Sequence, residues 1–332
     1  MRVLVTGGSG YVGSHVAKLL KASGHVPFVL DKVAGKRTWV NPDIRHYEGD
    51  VADYINLNHL FETLKFEAVI HLAASSEVGP SVTNPLLYYA NNVSNSALLA
   101  GMCVQHGVDK FIFSSTSAVY GQVPVHMLPT QEEYNKNPTT SYGASKLCVE
   151  YLLRDVSVAH NVRSVSLRYF NASGAAQDAS IGEYRETPTH LIPSLAEVAL
   201  GKKDSFTFNG TDYDTEDGTP IRDYTHVWDI AQAHVDALEY LDKGGKTVAL
   251  NIGAGEGHSV QEMYEEFARQ WGEHIPFTVG KRRPGDIASN YADITKAKEV
   301  LGWEPKLSTP KQIIEDAIRW YKTNLYKSLS NV

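Results

Sequence analysis

Two side chains four positions apart, Tyr142 and Lys146, have a spacing that points to chemistry in this chain of 332 residues. They follow Pro138 in a stretch that continues with helical period through Leu147, Glu150, Tyr151 and Leu153, which puts both on one helix face. A free phenol, with a pKa of about 10, is a poor base at neutral pH. An ammonium group beside it favours the phenolate and brings the tyrosine toward the range where it can take a proton. Such pairs are common on solvated helix faces, so this one gains meaning from its company. Ser114-Ser115-Thr116 ends an apolar run, where a parallel sheet places its ligand crevice. A hydroxyl there can hydrogen-bond both a substrate alcohol and the tyrosine.

A second group opens the chain. Thr6-Gly7-Gly8-Ser9-Gly10-Tyr11-Val12-Gly13 follows an apolar strand and starts a helix. In such a loop Gly7 makes the tight turn, Gly10 lets backbone approach a pyrophosphate, and Gly13 permits close helix-strand packing. The N–H groups of the helix start carry the diphosphate. Asp31 ends the second strand, where a carboxylate accepts both hydroxyls of an adenosine ribose and repels a 2′-phosphate, selecting NAD over NADP. Asp50 and Val51, after the third strand, fall beside the adenine if the strands take the usual order.

These groups need a sheet to bring them together. Strands are expected at Arg2–Thr6, Pro27–Asp31, Arg45–Tyr47, Ala68–Leu72, Lys110–Ser114, Ser164–Tyr169 and Val248–Gly253. Helices are expected at His15–Lys21, Asn58–Leu64, Leu86–His106, Tyr142–Ala159, Asp223–Leu241, Val260–Trp271 and Pro310–Leu325. The alternation predicts a parallel sheet wrapped by helices. From Ala172 to Arg222 the chain is richer in Gly, Pro, Asp and Thr and reads as loops gathered round a site.

Bulk properties narrow the partners. A net charge of −7 gives no whole-protein attraction to nucleic acid or to an anionic membrane. No run approaches the roughly 18 apolar residues of a membrane helix, and Met1–Gly7 lacks a signal peptide's apolar core, so a cytoplasmic protein is expected. Cys103 and Cys148 lack metal-ligand spacing and read as buried, reduced thiols in helices; no metal is expected.

The loop Gly7–Gly13, His71-Leu72-Ala73-Ala74, the run Phe113–Gly121, Ser141-Tyr142-Gly143-Ala144-Ser145-Lys146 and Leu167-Arg168-Tyr169-Phe170-Asn171 resemble the extended short-chain dehydrogenase/reductase family. The runs Gly218–Val227 and Arg282-Arg283-Pro284-Gly285-Asp286 resemble more narrowly its UDP-glucose 4-epimerase branch. The resemblance implies an α/β fold, a Rossmann-type doubly wound parallel sheet with a smaller, mixed C-terminal substrate-binding domain. Residues 1–171 and 223–253 would hold NAD; residues 172–222 and 254–332 would hold the nucleotide sugar.

It further implies interconversion of UDP-glucose and UDP-galactose through a transient 4-keto sugar, by a homodimer built on Leu86–His106 and Tyr142–Ala159. Tyr142 would take the proton of the sugar O4, Lys146 would bind the nicotinamide ribose, and Thr116 would bridge to the hydroxyl. Cofactor contacts would be Gly7, Gly10, Tyr11, Val12, Gly13, Asp31, Lys32, Asp50, Val51, Leu72, Ala73, Ala74, Asn91, Ser114 and Phe170. Substrate contacts would be Asn171, His190, Leu191, Thr207, Phe208, Asn209, Arg222, Arg283, Asp286 and Asn290, with the two arginines as planar forks for a diphosphate. Asn290 stands where a bulky aromatic narrows the sugar pocket in related enzymes, which extends the expectation to N-acetylated UDP-sugars. Two positions depart from the branch or divide it: Ser76 replaces a lysine near the cofactor, and Ala118 replaces the acid of related dehydratases. Epimerisation of another UDP-sugar (a pentose, a glucuronate) and an NAD-binding role without catalysis stay open as alternatives.

Overall fold

The computed structural model describes residues 1–34, 40–283 and 286–329; Pro284 and Gly285 of the basic turn lie outside them. Seven strands form one parallel sheet: β1 (Arg2–Thr6), β2 (Val26–Asp31), β3 (Arg45–Glu48), β4 (Ala68–His71), β5 (Lys110–Thr116), β6 (Arg163–Tyr169) and β7 (Val248–Ile252). Their order is β3-β2-β1-β4-β5-β6-β7, so the direction of winding reverses between β1 and β4 and opens a crevice at the carboxyl ends of those strands. The doubly wound sheet matches the expected fold class.

Alternation along the strands feeds two cores. Val3 and Val5 of β1 face a layer that includes Val16 and Leu20 of helix α1 (Tyr11–Ala22). Leu4 turns the other way, toward Leu57 and Phe61 of α2 (Tyr54–Leu64), Leu99 and Cys103 of α3 (Asn95–His106), and Val149 and Leu153 of α4 (Ser141–His160). A third core, under the crevice's far wall, gathers Ile192 and Leu195 of α5 (Leu191–Ala199), Met263 and Phe267 of α7 (Val260–Trp271), and Ile313 and Trp320 of α8 (Pro310–Tyr321). Between α5 and α7 in sequence, α6 (Val227–Asp242) returns to the first layer through Ile230 and Leu238. Small sheets of two and three strands complete this part.

Several expectations change. Asp223–Leu241 is not helical throughout: Tyr224–His226 is a strand parallel to Asn171–Ser173, and α6 begins at Val227. Leu86–His106 is broken into a four-residue helix at Pro85–Tyr88, a π-helical stretch at Tyr89–Ser94, and α3. The last helix stops at Tyr321, and another runs Asn324–Leu329. Cys103 is buried as expected, but Cys148 is exposed, because it lies on the outward face of α4.

Candidate active site

The glycine loop is shaped by contact. Gly7 has φ +72°, and a Cβ there would lie 2.6 Å from the Ala73 nitrogen, so the loop abuts the segment that follows β4. A Cβ on Gly13 would collide with Gly7. Gly10, the N-cap of α1, is different: its Cβ would meet only the Gly7 carbonyl at 3.1 Å, leaving open space. No side chain caps this helix start, which presents N–H groups to an anion. The Leu72 nitrogen is held by the Thr6 carbonyl at 3.0 Å, while Ala74 and Val12 are half-buried at the rim.

Asp31 accepts from the Ser9 nitrogen at 3.0 Å and the Val33 nitrogen at 3.1 Å, two fixed donors that hold its carboxylate at the crevice edge. Lys32 pairs with Asp50 at 2.9 Å, and Val51 is buried beside them. An open cradle at a helix start and an anchored acid one strand away fit the diphosphate and adenosine ribose of NAD.

Thr140 caps α4, its hydroxyl accepting from the Gly143 nitrogen at 3.2 Å, and so fixes the helix start that carries Tyr142. Lys146, 2% exposed, donates from Nζ to the Ser114 carbonyl at 2.7 Å and lies 6.0 Å from the Tyr142 ring centre. The Tyr142 hydroxyl is hydrogen-bonded to Thr116, which also accepts from the Ala118 nitrogen at 3.1 Å. The three side chains therefore meet at the end of β5.

The electrostatics differ from the sequence expectation. Burial pulls Lys146 down to about 7, so its charge is only weakly held at neutral pH. Burial also pushes the Tyr142 phenol up, and the Thr116 hydrogen bond offsets this only in part. Desolvation outweighs the ammonium effect in the chain by itself.

Other expected residues spread round the crevice. Asn91, in the π-helical stretch, donates to Ser75 Oγ at 2.9 Å, and Phe170 follows β6, half-buried. Asn171 donates to the Asp223 carbonyl at 2.9 Å. His190 stands at the N-cap position of α5 ahead of Leu191 without capping it through its side chain, and its Nδ1 lies 2.8 Å from Glu183. Arg222 is ion-paired with Asp286, whose other oxygen accepts from Tyr213 at 3.2 Å. Arg283 is exposed, and Asn290 sits in a short strand parallel to Ile221–Arg222. In the strand Phe206–Asn209, Thr207 faces out; the Phe208 ring packs in the core against Phe206, Tyr264 and Phe277, so only its backbone is available to a ligand.

Three groups were missed in the sequence. Asn92 accepts from the Ser75 nitrogen at 2.8 Å and donates to Ser145 Oγ at 3.0 Å, tying the loop after β4 to the turn that bears Lys146. Glu150 binds Ser115 and Arg168, and Glu183 binds His190 and Arg185. A polar residue inside an apolar helical run, such as Asn92, or an acid one turn beyond Lys146, such as Glu150, was the available signal.

The chain is similar to known proteins over nearly its whole length. Residues 3–253 match the NAD dependent epimerase/dehydratase family. The UDP-glucose 4-epimerase of Halalkalibacterium halodurans is 42% identical over 322 residues, covering 97% of this chain and 96% of that one. Among solved structures, UDP-glucose 4-epimerase from Brucella ovis in complex with NAD is 41% identical with a TM-score of 0.91, covering 96% and 98% of the two chains. The UDP-Glc/GlcNAc 4-epimerase from Campylobacter jejuni is 40% identical with a TM-score of 0.81, covering 97% and 99%. With a glycine loop, an acid at the end of β2 and a Thr-Tyr-Lys cluster in one crevice, this chain belongs to the NAD dependent epimerase/dehydratase family.

Proposed function

We propose that the protein binds NAD and interconverts UDP-glucose and UDP-galactose at C4. The meeting of Thr116, Tyr142 and Lys146 across from an open glycine cradle carries this reading. NAD, held by the glycine cradle and Asp31, would supply a hydride acceptor for the sugar C4. Tyr142 Oη takes the proton of the sugar O4 as C4 is oxidised to a ketone, and returns it after the sugar has turned over. Thr116, hydrogen-bonded to the tyrosine, keeps O4 within reach. Lys146, fixed on the Ser114 carbonyl, offers its remaining donors to a ribose.

Arg222 and Arg283 hold the diphosphate, with Asp286 orienting Arg222. Asn171, His190, Leu191 and the Thr207–Asn209 strand frame the rest of the nucleotide sugar, and Asn290 borders the sugar ring. Holding the nucleotide by its diphosphate leaves the keto sugar free to rotate and be reduced on its other face. Ala118 offers no acid to drive an elimination, which favours epimerisation over dehydration. The Campylobacter relative's name supports extending the substrates to N-acetylated UDP-sugars.

The reading includes a cytoplasmic homodimer. Supporting the dimer, Leu86 is 80% exposed and Val158 87%, one on each of the two expected interface segments. No helix among the described residues is long and apolar enough to cross a membrane.

The test is to incubate the protein with UDP-galactose and UDP-glucose, with and without added NAD, and separate the products by chromatography. Wild type should form the C4 epimer, and Tyr142→Phe should lose at least about 10²-fold in turnover, the lower end for a general acid–base group. Absence of epimer from wild type, or near-normal turnover by Tyr142→Phe, would overturn the reading.

A further inference from the structure

The two lips of the dinucleotide crevice carry no free cation of their own. One lip is the loop Gly7–Gly13, and the other is Leu72-Ala73-Ala74-Ser75-Ser76-Glu77 after β4; neither contains a lysine or arginine. Among the described residues nearby, Lys32 is committed to Asp50, and Lys146 is buried against Ser114. A helix N-terminus contributes only about half a positive charge, whereas a dinucleotide's pyrophosphate carries two negative charges.

A segment from the other part of the molecule brings one. Residues 174–185 drape over α1: the Tyr11 hydroxyl donates to the Gly174 carbonyl at 2.7 Å, and Lys18 is bound to Asp178 and Ser180. The segment is anchored below by Trp320, which donates to the Glu183 carbonyl at 3.0 Å. Glu183, 4% exposed, accepts from Arg185 Nε at 2.9 Å and so aims the guanidinium. The far end of that guanidinium reaches the opposite lip, with Nη1 3.7 Å from Glu77 Oε1. Nη2 has no hydrogen-bond partner among the described residues, and the side chain is 27% exposed.

We propose that Arg185 is a cofactor-retaining residue, a guanidinium held by buried Glu183 that bridges the two lips and binds the pyrophosphate of the dinucleotide between them. Arg185 and Glu183 are assigned this role on the reading that the crevice binds NAD. Held at Nε by buried Glu183, Arg185 is already oriented, so little side-chain entropy is lost when phosphate oxygens take up its outer nitrogens. Glu77 acts in the opposite sense, since its carboxylate competes for the guanidinium and repels the phosphates.

The experiment strips NAD from wild type, Arg185→Gln, Arg185→Lys and Glu77→Gln, and measures NAD affinity by calorimetric titration. Arg185→Gln should weaken binding by about tenfold or more, as expected for a lost charge-assisted hydrogen bond. Arg185→Lys should restore much of it, and Glu77→Gln should tighten binding. Affinity in Arg185→Gln equal to wild type overturns the proposal. So does a loss in Glu77→Gln as large as in Arg185→Gln, which would mark the ion pair as merely a loop fastening. Failure of wild type itself to take up NAD would instead sink the reading of the crevice.

Discussion

Burial controls what Lys146 and its neighbours do. Its folded pKa of about 7 lies below its ordinary value of 10.5, so unfolding takes up a proton between those limits. The lysine's contribution to stability is therefore least favourable below about pH 7 and improves as pH rises toward 10.5. Replacing it by an isosteric apolar group should raise the thermal midpoint of the NAD-free protein at pH 6 to 7, and the advantage should shrink toward pH 10. Thermal scans of wild type and Lys146→Met at several pH values check this; a gap that stays constant would mean the lysine does not titrate there. Asn290 is a second decisive position. Its side-chain oxygen faces Thr130 Oγ1 at 3.5 Å, and it is much smaller than the tyrosine it would become in Asn290→Tyr. Wild type should accept UDP-N-acetylgalactosamine, and Asn290→Tyr should lower its kcat/KM relative to UDP-galactose by about tenfold or more, because a bulkier wall overlaps the acetamido group. An unchanged ratio would remove Asn290 as the gate. Tyr142, Lys146 and Thr116 could be picked out in the sequence because their roles follow from spacing and strand ends. Arg185 and Glu77 could not: 108 positions of chain separate them, and only the fold brings them face to face.

At the scale of elements, one buried ion pair sets how α4 sits on the sheet. Glu150, one turn beyond Lys146, accepts from Arg168 Nη2 at 2.6 Å and Nε at 3.0 Å, and from Ser115 Oγ at 2.5 Å. Ser115 and Arg168 are register partners on β5 and β6, and Ser115 precedes Thr116. The guanidinium continues to the Tyr120 hydroxyl at 2.7 Å, which donates to Asn251 on β7 at 2.7 Å. The helix that carries Tyr142 and Lys146 and the strand that ends in Thr116 are thus locked together through groups about 5% and 7% exposed. Glu150→Ala should lower stability by about 3–5 kcal/mol, because it strands the arginine charge in the interior. Chemical denaturation measures this; a loss under about 1 kcal/mol would place the pair in effective contact with water. The strands were legible from β-branched runs, and several lay within a residue or two of their observed bounds. The start of α6 was not, because its cap is His226, whose ring accepts from the Trp228 nitrogen at 3.0 Å, outside the usual Ser, Thr, Asp and Asn set. Nor was the π-helical stretch at Tyr89–Ser94, where a widened turn lets Asn91 and Asn92 both reach Ser75.

Across the whole molecule, the sheet and the third core leave their crevice between them, while a separate apolar surface lies on the side of α4. Val82, Leu86 and Leu87 are exposed in the stretch that leads into the π-helical turn, and Tyr151 and Val158 are exposed seven residues apart on α4, on one helix face. Isolated exposed apolar residues are ordinary, but this set lies on adjoining elements and follows the two segments expected to meet their counterparts. Burying such a stripe against a second copy by a twofold axis removes it from water and closes the assembly, since each copy offers the same patch. The chain should therefore be dimeric at micromolar concentration, and Leu86→Glu combined with Val158→Glu should shift it to a monomer by placing unpaired carboxylates in an apolar contact. Light scattering coupled to gel filtration reads both masses. Neither Leu86 nor Val158 is among the expected site residues, so the monomeric variant should still bind NAD; a wild-type monomer, or a double variant that stays dimeric, would move the interface elsewhere or remove it.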